Sequence, residues 1–281
     1  MIPKVLHYIW INGRDLELGE YKVILSGILN TSYKVILHTD IKPKNSQRYN
    51  PYKIKAPKSK YEVKYTEFET VIEGVTQTYQ GVSDFYRTII LNNSGGIYSD
   101  LDFIWFKDIP EEFMKHNLVT CYLTGPGSIT VIPNGFMAST PRNPKLKEMM
   151  GLMEDYLKQL KEKGITDIRK NKADRFLYNG IFELMSRFLK KNSDFIIPRK
   201  YMFGNHIRRI IRAVARVNGK EKDIGDPKDT YVADSLKTKG DNVLKFPSDL
   251  VGINYDNGRH DYETMLKIPE FAEKMKAVGL E

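Results

Sequence analysis

Short β-branched and aromatic runs alternate with helical stretches through the first half of this chain, and that alternation most narrows the folds open to it. Residues 2–11 read as a first strand, closed by the turn signal Asn12-Gly13. Leu16 to Leu29 carries helical spacing. Tyr33 to His38 reads as a second strand closed by Thr39-Asp40, and Tyr61 to Thr66 as a short third, with a Lys/Pro/Asn-rich loop over 41–60 between them. From about Gln80 to Asn93 the residues Val82, Phe85 and Ile89 follow a helical repeat, which Gly95-Gly96 stops. Ile97-Tyr98-Ser99 then leads into Asp100-Leu101-Asp102 and the apolar Phe103-Ile104-Trp105-Phe106. Further strands are expected at 117–123 and 129–133, and helices at 143–163 and 173–190. The pattern predicts an α/β fold with a mixed, mostly parallel sheet and helical additions in the C-terminal half.

The 281 residues suffice for a substantial core, and an apolar fraction of 41% excludes a disordered chain. No apolar run approaches the roughly 18 to 20 residues that span a bilayer, so no transmembrane segment is expected. The opening residues read as a strand rather than a signal peptide, and the single Cys121 cannot form an internal disulfide, so a cytoplasmic location is expected. The net charge of +9 favours polyanionic partners and is unevenly spread. One cluster comprises Lys42, Lys44, Arg48, Lys53, Lys55, Lys58, Lys60 and Lys64, opposed only by Glu62. A second runs from Arg208 through Arg209, Arg212 and Arg216 to Lys220 and Lys222. Over His206 to Val217 the arginines recur at four-residue spacing opposite Ile207, Ile210, Ile211 and Val214, an amphipathic helix pattern. Both clusters also fit an ordinary solvated surface.

Asp-x-Asp alone is a weak signal, since about one chance copy is expected in a chain of this length. Its setting strengthens it. In extended backbone Asp100 and Asp102 share a face while Leu101 turns into the core. Two carboxylates leaving a strand suit a hard divalent cation, Mg²⁺ or Mn²⁺, completed by oxygens of a substrate such as a diphosphate. Such a pair would also sit where ligands gather in α/β sheets, at the carboxyl ends of the strands. Upstream, Asp84 and Arg87 of Ser83-Asp84-Phe85-Tyr86-Arg87 stand three apart on one helix face. They fit a structural ion pair, or a carboxylate that receives sugar hydroxyls while the arginine steadies it or a phosphate.

Ser-Asp-Phe-Tyr-Arg followed by Leu-Asn-Asn-Ser-Gly-Gly-Ile-Tyr-Ser-Asp-Leu-Asp resembles the sugar-binding region of glycosyltransferases carrying the DXD motif. That group includes initiating mannosyltransferases of the yeast type, bacterial capsule transferases and the glucosyltransferase domain of clostridial toxins. The opening Ile-Pro-Lys-Val-Leu-His-Tyr-Ile-Trp-Ile-Asn-Gly is similar to the family's first strand, and Asn134 to Ser139 is more loosely similar. The resemblance implies a GT-A fold over a single domain, 1–281, with a nucleotide-sugar-binding core over 1–140 and a helical, acceptor or lid part over 141–281. It implies that Trp10 stacks on the base, that Asp84 and Arg87 hold the donor sugar, and that Tyr98 lines the nucleotide pocket. Asp100 would contact ribose, sugar or metal-bound water, Asp102 would ligate Mn²⁺ or Mg²⁺, and Asn134 would sit beside the sugar. The family's C-terminal His with Ser-Trp is missing, which leaves Asp234 and His260 as the two candidates for a further metal ligand, each also readable as a bystander.

The expected activity is therefore transfer of a sugar, with retention, from a UDP-sugar (or GDP-sugar) to an acceptor glycan, a lipid-linked glycan at an anionic membrane, or DNA with modified bases. The rivals are a metal-dependent nucleotidyltransferase or phosphoesterase, which would call for more acidic ligands near a Gly-rich loop, and a non-catalytic nucleic-acid-binding protein, which has no use for the four charged residues.

Overall fold

The structure, a computed structural model, describes residues 1–11, 14–42, 48–121, 132–171, 179–198, 202–203, 237–238, 241–244, 250–254, 262, 266 and 269–280. Its centre is a seven-stranded sheet built from β1 (Val5–Trp10), β2 (Lys34–Thr39), β3 (Tyr61–Tyr65), β6 (Gly96–Ser99), β8 (Leu118–Cys121), β9 (Phe136–Ser139) and β10 (Phe195–Ile197). Their spatial order is β10-β8-β9-β6-β1-β2-β3. β3, β2, β1 and β6 pair in parallel, β9 runs antiparallel to both β6 and β8, and β10 lies parallel to β8. The sheet is thus mixed and mostly parallel, as the alternation of elements predicts.

Helix α1 (Leu18–Asn30) connects β1 to β2, and the chain steps outward to β3. Past the small hairpin of β4 (Val71–Ile72) and β5 (Val75–Thr76), helix α2 (Tyr79–Ser94) carries it back across to β6 on the other flank of β1. Strand order reverses there, so a crevice opens beyond the carboxyl ends of β1 and β6, the place where open α/β sheets bind ligands. Thr78 caps α2, its hydroxyl accepting from the Gly81 amide at 3.1 Å. Gly95 and Gly96 follow the helix with φ of 64° and 100°, and a side chain at Gly96 would stand 2.7 Å from the Val5 carbonyl. Only glycine allows the helix to stop and β6 to enter the sheet against β1 in this way.

Side chains alternate between two apolar layers, as a pleated sheet covered on both faces requires. Leu6, Tyr8, Val35, Leu37 and Ile97 face α1 and a C-terminal group. That group holds β7 (Phe103–Trp105), which leaves the main sheet to pair antiparallel with β14 (Gly252–Asn254), itself parallel to β11 (Met202–Phe203). A separate hairpin joins β12 (Lys237–Thr238) to β13 (Asp241–Leu244). Ile9, Tyr98, Leu118 and Met137 face α2, α3 (Pro144–Glu162) and α4 (Gly180–Asn192). The last helix, α5 (Pro269–Ala277), returns Phe271 and Met275 to the first layer.

Two sequence expectations are corrected. The strand expected at 129–133 is not seen at 132–133, its described part; the pairing strand is β9, four residues beyond Ile132, because it must lie in register with β6. Asp100 still bonds the Gly135 carbonyl beside β9, but Leu101 and Asp102 do not stay extended. They make a turn in which the Phe103 amide donates to the Asp100 carbonyl at 3.3 Å, which redirects the chain out of the main sheet into β7.

In the first basic cluster Lys42, Arg48, Lys53, Lys55, Lys58 and Lys64 are exposed. Lys60 instead bonds the Thr31 and Tyr33 carbonyls, and Lys34 pairs with Glu62. Lys44 and the stretch His206 to Val217 lie outside the described residues. Among the described residues no helix is long and apolar enough to cross a membrane.

Candidate active site

Four parts of the fold meet at the crevice: the end of β1, the first turns of α2, the turn after β6, and the start of α4. They enclose a cavity of about 650 Å³ whose lining includes Trp10, Asp84, Arg87, Tyr98, Asp100, Asp102 and Asn134. Seven of the nine residues singled out in the sequence therefore line one cavity. The other two, Asp234 and His260, lie outside the described residues.

The inner wall is built around Arg87. Its guanidinium donates to the Asn134 carbonyl at 2.8 Å and the Ser83 hydroxyl at 3.0 Å, and it stands 3.1 Å from Asp84 Oδ1 and 3.4 Å from Asp100 Oδ1. The Tyr98 ring lies beneath it, 4.4 Å away. The Asn134 amide donates to Asp84 Oδ1 at 2.8 Å, and the Tyr98 hydroxyl donates to Asp100 Oδ1 at 2.7 Å. Arg87 and Asp84 are only 5% and 6% exposed, so this is an ion pair taken almost wholly out of water.

Burial dominates the acid–base character of the wall. It pushes the Asp84 carboxyl up to about 6, against the Arg87 charge and the Asn134 bond, which hold it down, while Asp100 raises it further. Burial also works against the charge on Arg87, but Tyr98, Asp100, Asp84 and Asp102 outweigh it and raise its pKa. Tyr98 is driven well above the ordinary phenol range, mainly by burial, so it keeps its proton and serves Asp100 as a donor. Shifted groups gathered at a crevice are what both a functional site and a buried ion-pair network produce.

Trp10 forms the outer wall. It is half-buried at the end of β1, its indole N–H donates to the Arg14 carbonyl at 2.7 Å, and the Arg14 guanidinium sits 4.6 Å from its ring centre. Arg14 is itself tied to Glu17 and Glu20. Sequence reasoning missed Arg14 and Ser83, and it missed the wall that the start of α4 supplies through Asn179, Ile181, Phe182 and Glu183. Thr78 before a helical run was a readable cap signal; nothing local tied α4 to the crevice.

The donor chemistry of the inner wall suits a hard cation. Asp84, Asp100 and Asp102 are all oxygen donors and outnumber the single guanidinium among them. No group of three or more His, Cys, Asp or Glu able to hold a metal occurs among the described residues. An ion held by Asp100 and Asp102 would need further oxygens from a ligand, as Mg²⁺ and Mn²⁺ commonly take from substrate phosphates.

Residues 25–120, about a third of the chain, match the family described as "Glycosyltransferase sugar-binding region containing DXD motif". The matched segment contains Asp84, Arg87, Tyr98, Asp100 and Asp102 and leaves Trp10 and Asn134 outside. Similar solved structures are also glycosyltransferases. PaToxG glycosyltransferase is 14% identical over 99% of this chain and 87% of its own, with a TM-score of 0.43. Galactosyltransferase LgtC, determined with donor and acceptor sugar analogs, is 9% identical over 98% of this chain and 95% of its own, at 0.48. The apo form of GlyE from Streptococcus pneumoniae is 9% identical over 78% of this chain, at 0.46, and half of its own length is covered. No curated protein matches the chain.

Proposed function

We propose that this chain, acting as one GT-A unit over 1–281, is a metal-dependent glycosyltransferase that moves a sugar from a nucleotide donor, a UDP-sugar rather than a GDP-sugar, to an acceptor hydroxyl with retention of configuration. The carrying observation is the convergence of Trp10, Asp84, Arg87, Tyr98, Asp100, Asp102 and Asn134 on one cavity at the carboxyl ends of β1 and β6. Trp10 offers an indole face to the base. Asp84, held by Arg87 and Asn134, receives hydroxyls of the donor sugar. Asp102 and Asp100 would hold Mn²⁺ or Mg²⁺, with oxygens of the diphosphate completing the ion's ligands. When bound, the ion supplies charge neutralisation for the departing nucleoside diphosphate.

What the chain's own residues contribute is placement. The Arg87 network fixes Asp84 and Asp100 before any ligand arrives, so little reorganisation remains when charge develops. With retention, transfer proceeds on one face of the sugar and no protein nucleophile is assigned.

The exposed cations of 42–64 favour a polyanionic setting for the acceptor, a lipid-linked glycan on an anionic leaflet or DNA with modified bases, and the chain works in the cytoplasm. Binding to anionic liposomes and to duplex DNA across a salt series separates these; no binding to either at low salt points to a small neutral glycan. Titration of UDP and GDP in Mn²⁺ and in EDTA tests the central reading. Tight binding is expected only with metal, and equal affinity in both removes the metal's role.

A further inference from the structure

The pairing of β6 with β9 continues one residue beyond Ser99 and Phe136, where the Asp100 amide donates to the Gly135 carbonyl at 2.8 Å. The first aspartate is therefore still anchored to the sheet while its side chain enters the cavity. Its two oxygens differ. Oδ1 accepts from Tyr98 and faces Arg87, whereas Oδ2 takes no hydrogen bond from the described residues. Oδ2 lies directly over Gly135: a Cβ on that residue would stand 2.4 Å from Oδ2 and 3.1 Å from Cγ. Both distances fall inside the roughly 3.5–4.0 Å at which non-bonded heavy atoms rest.

Gly135 has no left-handed φ, so the requirement is for space and not for backbone freedom. The backbone cannot retreat either. Arg87 holds the Asn134 carbonyl, the Asn134 side chain is fixed on Asp84, and Phe136 is locked into β9. A side chain at 135 would move the Asp100 carboxylate, and with it the Tyr98 bond.

We propose that Gly135 is a positioning residue for Asp100: its missing side chain is what lets Oδ2 stand open toward the cavity, as the ligand-facing oxygen of the first aspartate. The inference rests on the glycosyltransferase reading for its function, but its geometry can be tested without that reading. Gly135→Ala should raise the Mn²⁺ concentration that half-saturates UDP binding by about tenfold or more, the scale of loss when support for a metal ligand is removed, while UDP affinity in EDTA is unchanged. Equal Mn²⁺ half-saturation in folded Gly135→Ala and wild-type protein overturns the proposal.

A stability cycle gives a second readout. Gly135→Ala should lower the thermal midpoint in the wild-type background and leave it unchanged in an Asp100→Ala background, where no carboxylate remains to be displaced. The same loss in both backgrounds places the clash elsewhere and overturns the proposal. This arm works even where Gly135→Ala alone fails to fold. Absence of metal-dependent UDP binding in the wild type would instead defeat the functional reading, and the cycle would still decide Gly135.

Discussion

At the far end of α2, His7 bonds the Gly95 carbonyl through Nε2 at 3.1 Å and meets His38 Nε2 through Nδ1 at 3.1 Å, while at its near end Arg87 gathers Asp84, Asp100 and Tyr98. Both clusters are buried on one face of one sheet, yet they solve burial differently. The two imidazoles can be satisfied uncharged: His7 donates to Gly95, and His38 donates to His7. Burial holds both pKa values well below the ordinary imidazole range, so they stay neutral. The near cluster keeps its charges and opens onto a cavity. Neutrality costs little and serves the fold, whereas buried ions cost several kcal/mol each and make sense where a ligand completes them.

Arg87→Met is the hardest test of that contrast. It leaves the Asp84 carboxylate buried beside Asp100 without its cation, and should cost about 3–5 kcal/mol of stability at pH 7.5 in urea denaturation. Adding Asp84→Asn should restore much of the loss. A single-variant loss below about 1 kcal/mol, the scale of an exposed pair, would mean the near cluster is not an ion pair out of water.

Asp102→Asn should act on chemistry and leave the fold alone. The residue is half-exposed on the cavity wall, so its effect on stability should stay within about 0.5 kcal/mol. Donor hydrolysis and transfer should fall by about 10²–10³-fold, the scale of removing one group that faces developing charge. Unchanged turnover would remove Asp102 from the site.

Acid should separate the clusters by sign. His7 and His38 titrate lower when folded than when unfolded, so the unfolded chain takes up protons first as pH falls below about 6.5, and stability is lost from there downward. Asp84 behaves oppositely: its carboxyl is raised to about 6 when folded, so the strain of burying its charge is relieved below that pH. Two imidazoles outweigh one carboxylate, and stability should drop by about 2–3 kcal/mol between pH 7 and 4.5. Replacing both histidines with Gln should flatten or invert the slope. An unaltered slope would show that the dyad is not what acid attacks.

Much of this was legible in the sequence, for physical reasons. α2 announces itself through its apolar repeat and the Gly95-Gly96 stop, and β1 and β2 are dense enough in β-branched and aromatic residues to stand out. Asp84, Arg87, Asp100 and Asp102 could be grouped because helix spacing and a short turn keep them close in the chain. What stayed hidden depends on distant pairing. β9 is chosen by register against β6, from Gly96 with Ser139 to Ser99 with Phe136, and no periodicity over 129–139 reports that. The Asp100–Asp102 turn exists because β7 is recruited by β14, about 150 residues later. Gly135 looks like any turn glycine until Asp100 is laid over it.

The smallest expected effect belongs to Trp10, which sharpens the contrast by asking whether the outer wall is built for a ligand or for packing. Its indole N–H is already spent on the Arg14 carbonyl, and the Arg14 guanidinium lies against the ring. A purely structural tryptophan in that arrangement would answer to the loss of its hydrogen bond, so Trp10→Phe and Trp10→Ala would both destabilise the β1 end without favouring one over the other in ligand binding. A stacking platform answers to the loss of its aromatic face. Trp10→Phe keeps a face and should weaken UDP binding in Mn²⁺ only severalfold, while Trp10→Ala should lose about 1–3 kcal/mol, the range measured for a base stacked on an aromatic side chain. UDP should also quench tryptophan fluorescence, and Trp105, fully buried within the apolar layer that Trp10 packs against, should contribute a constant background. Wild-type affinity in Trp10→Phe together with no quenching in the wild type would assign Trp10 to packing and leave the base to be held elsewhere in the cavity.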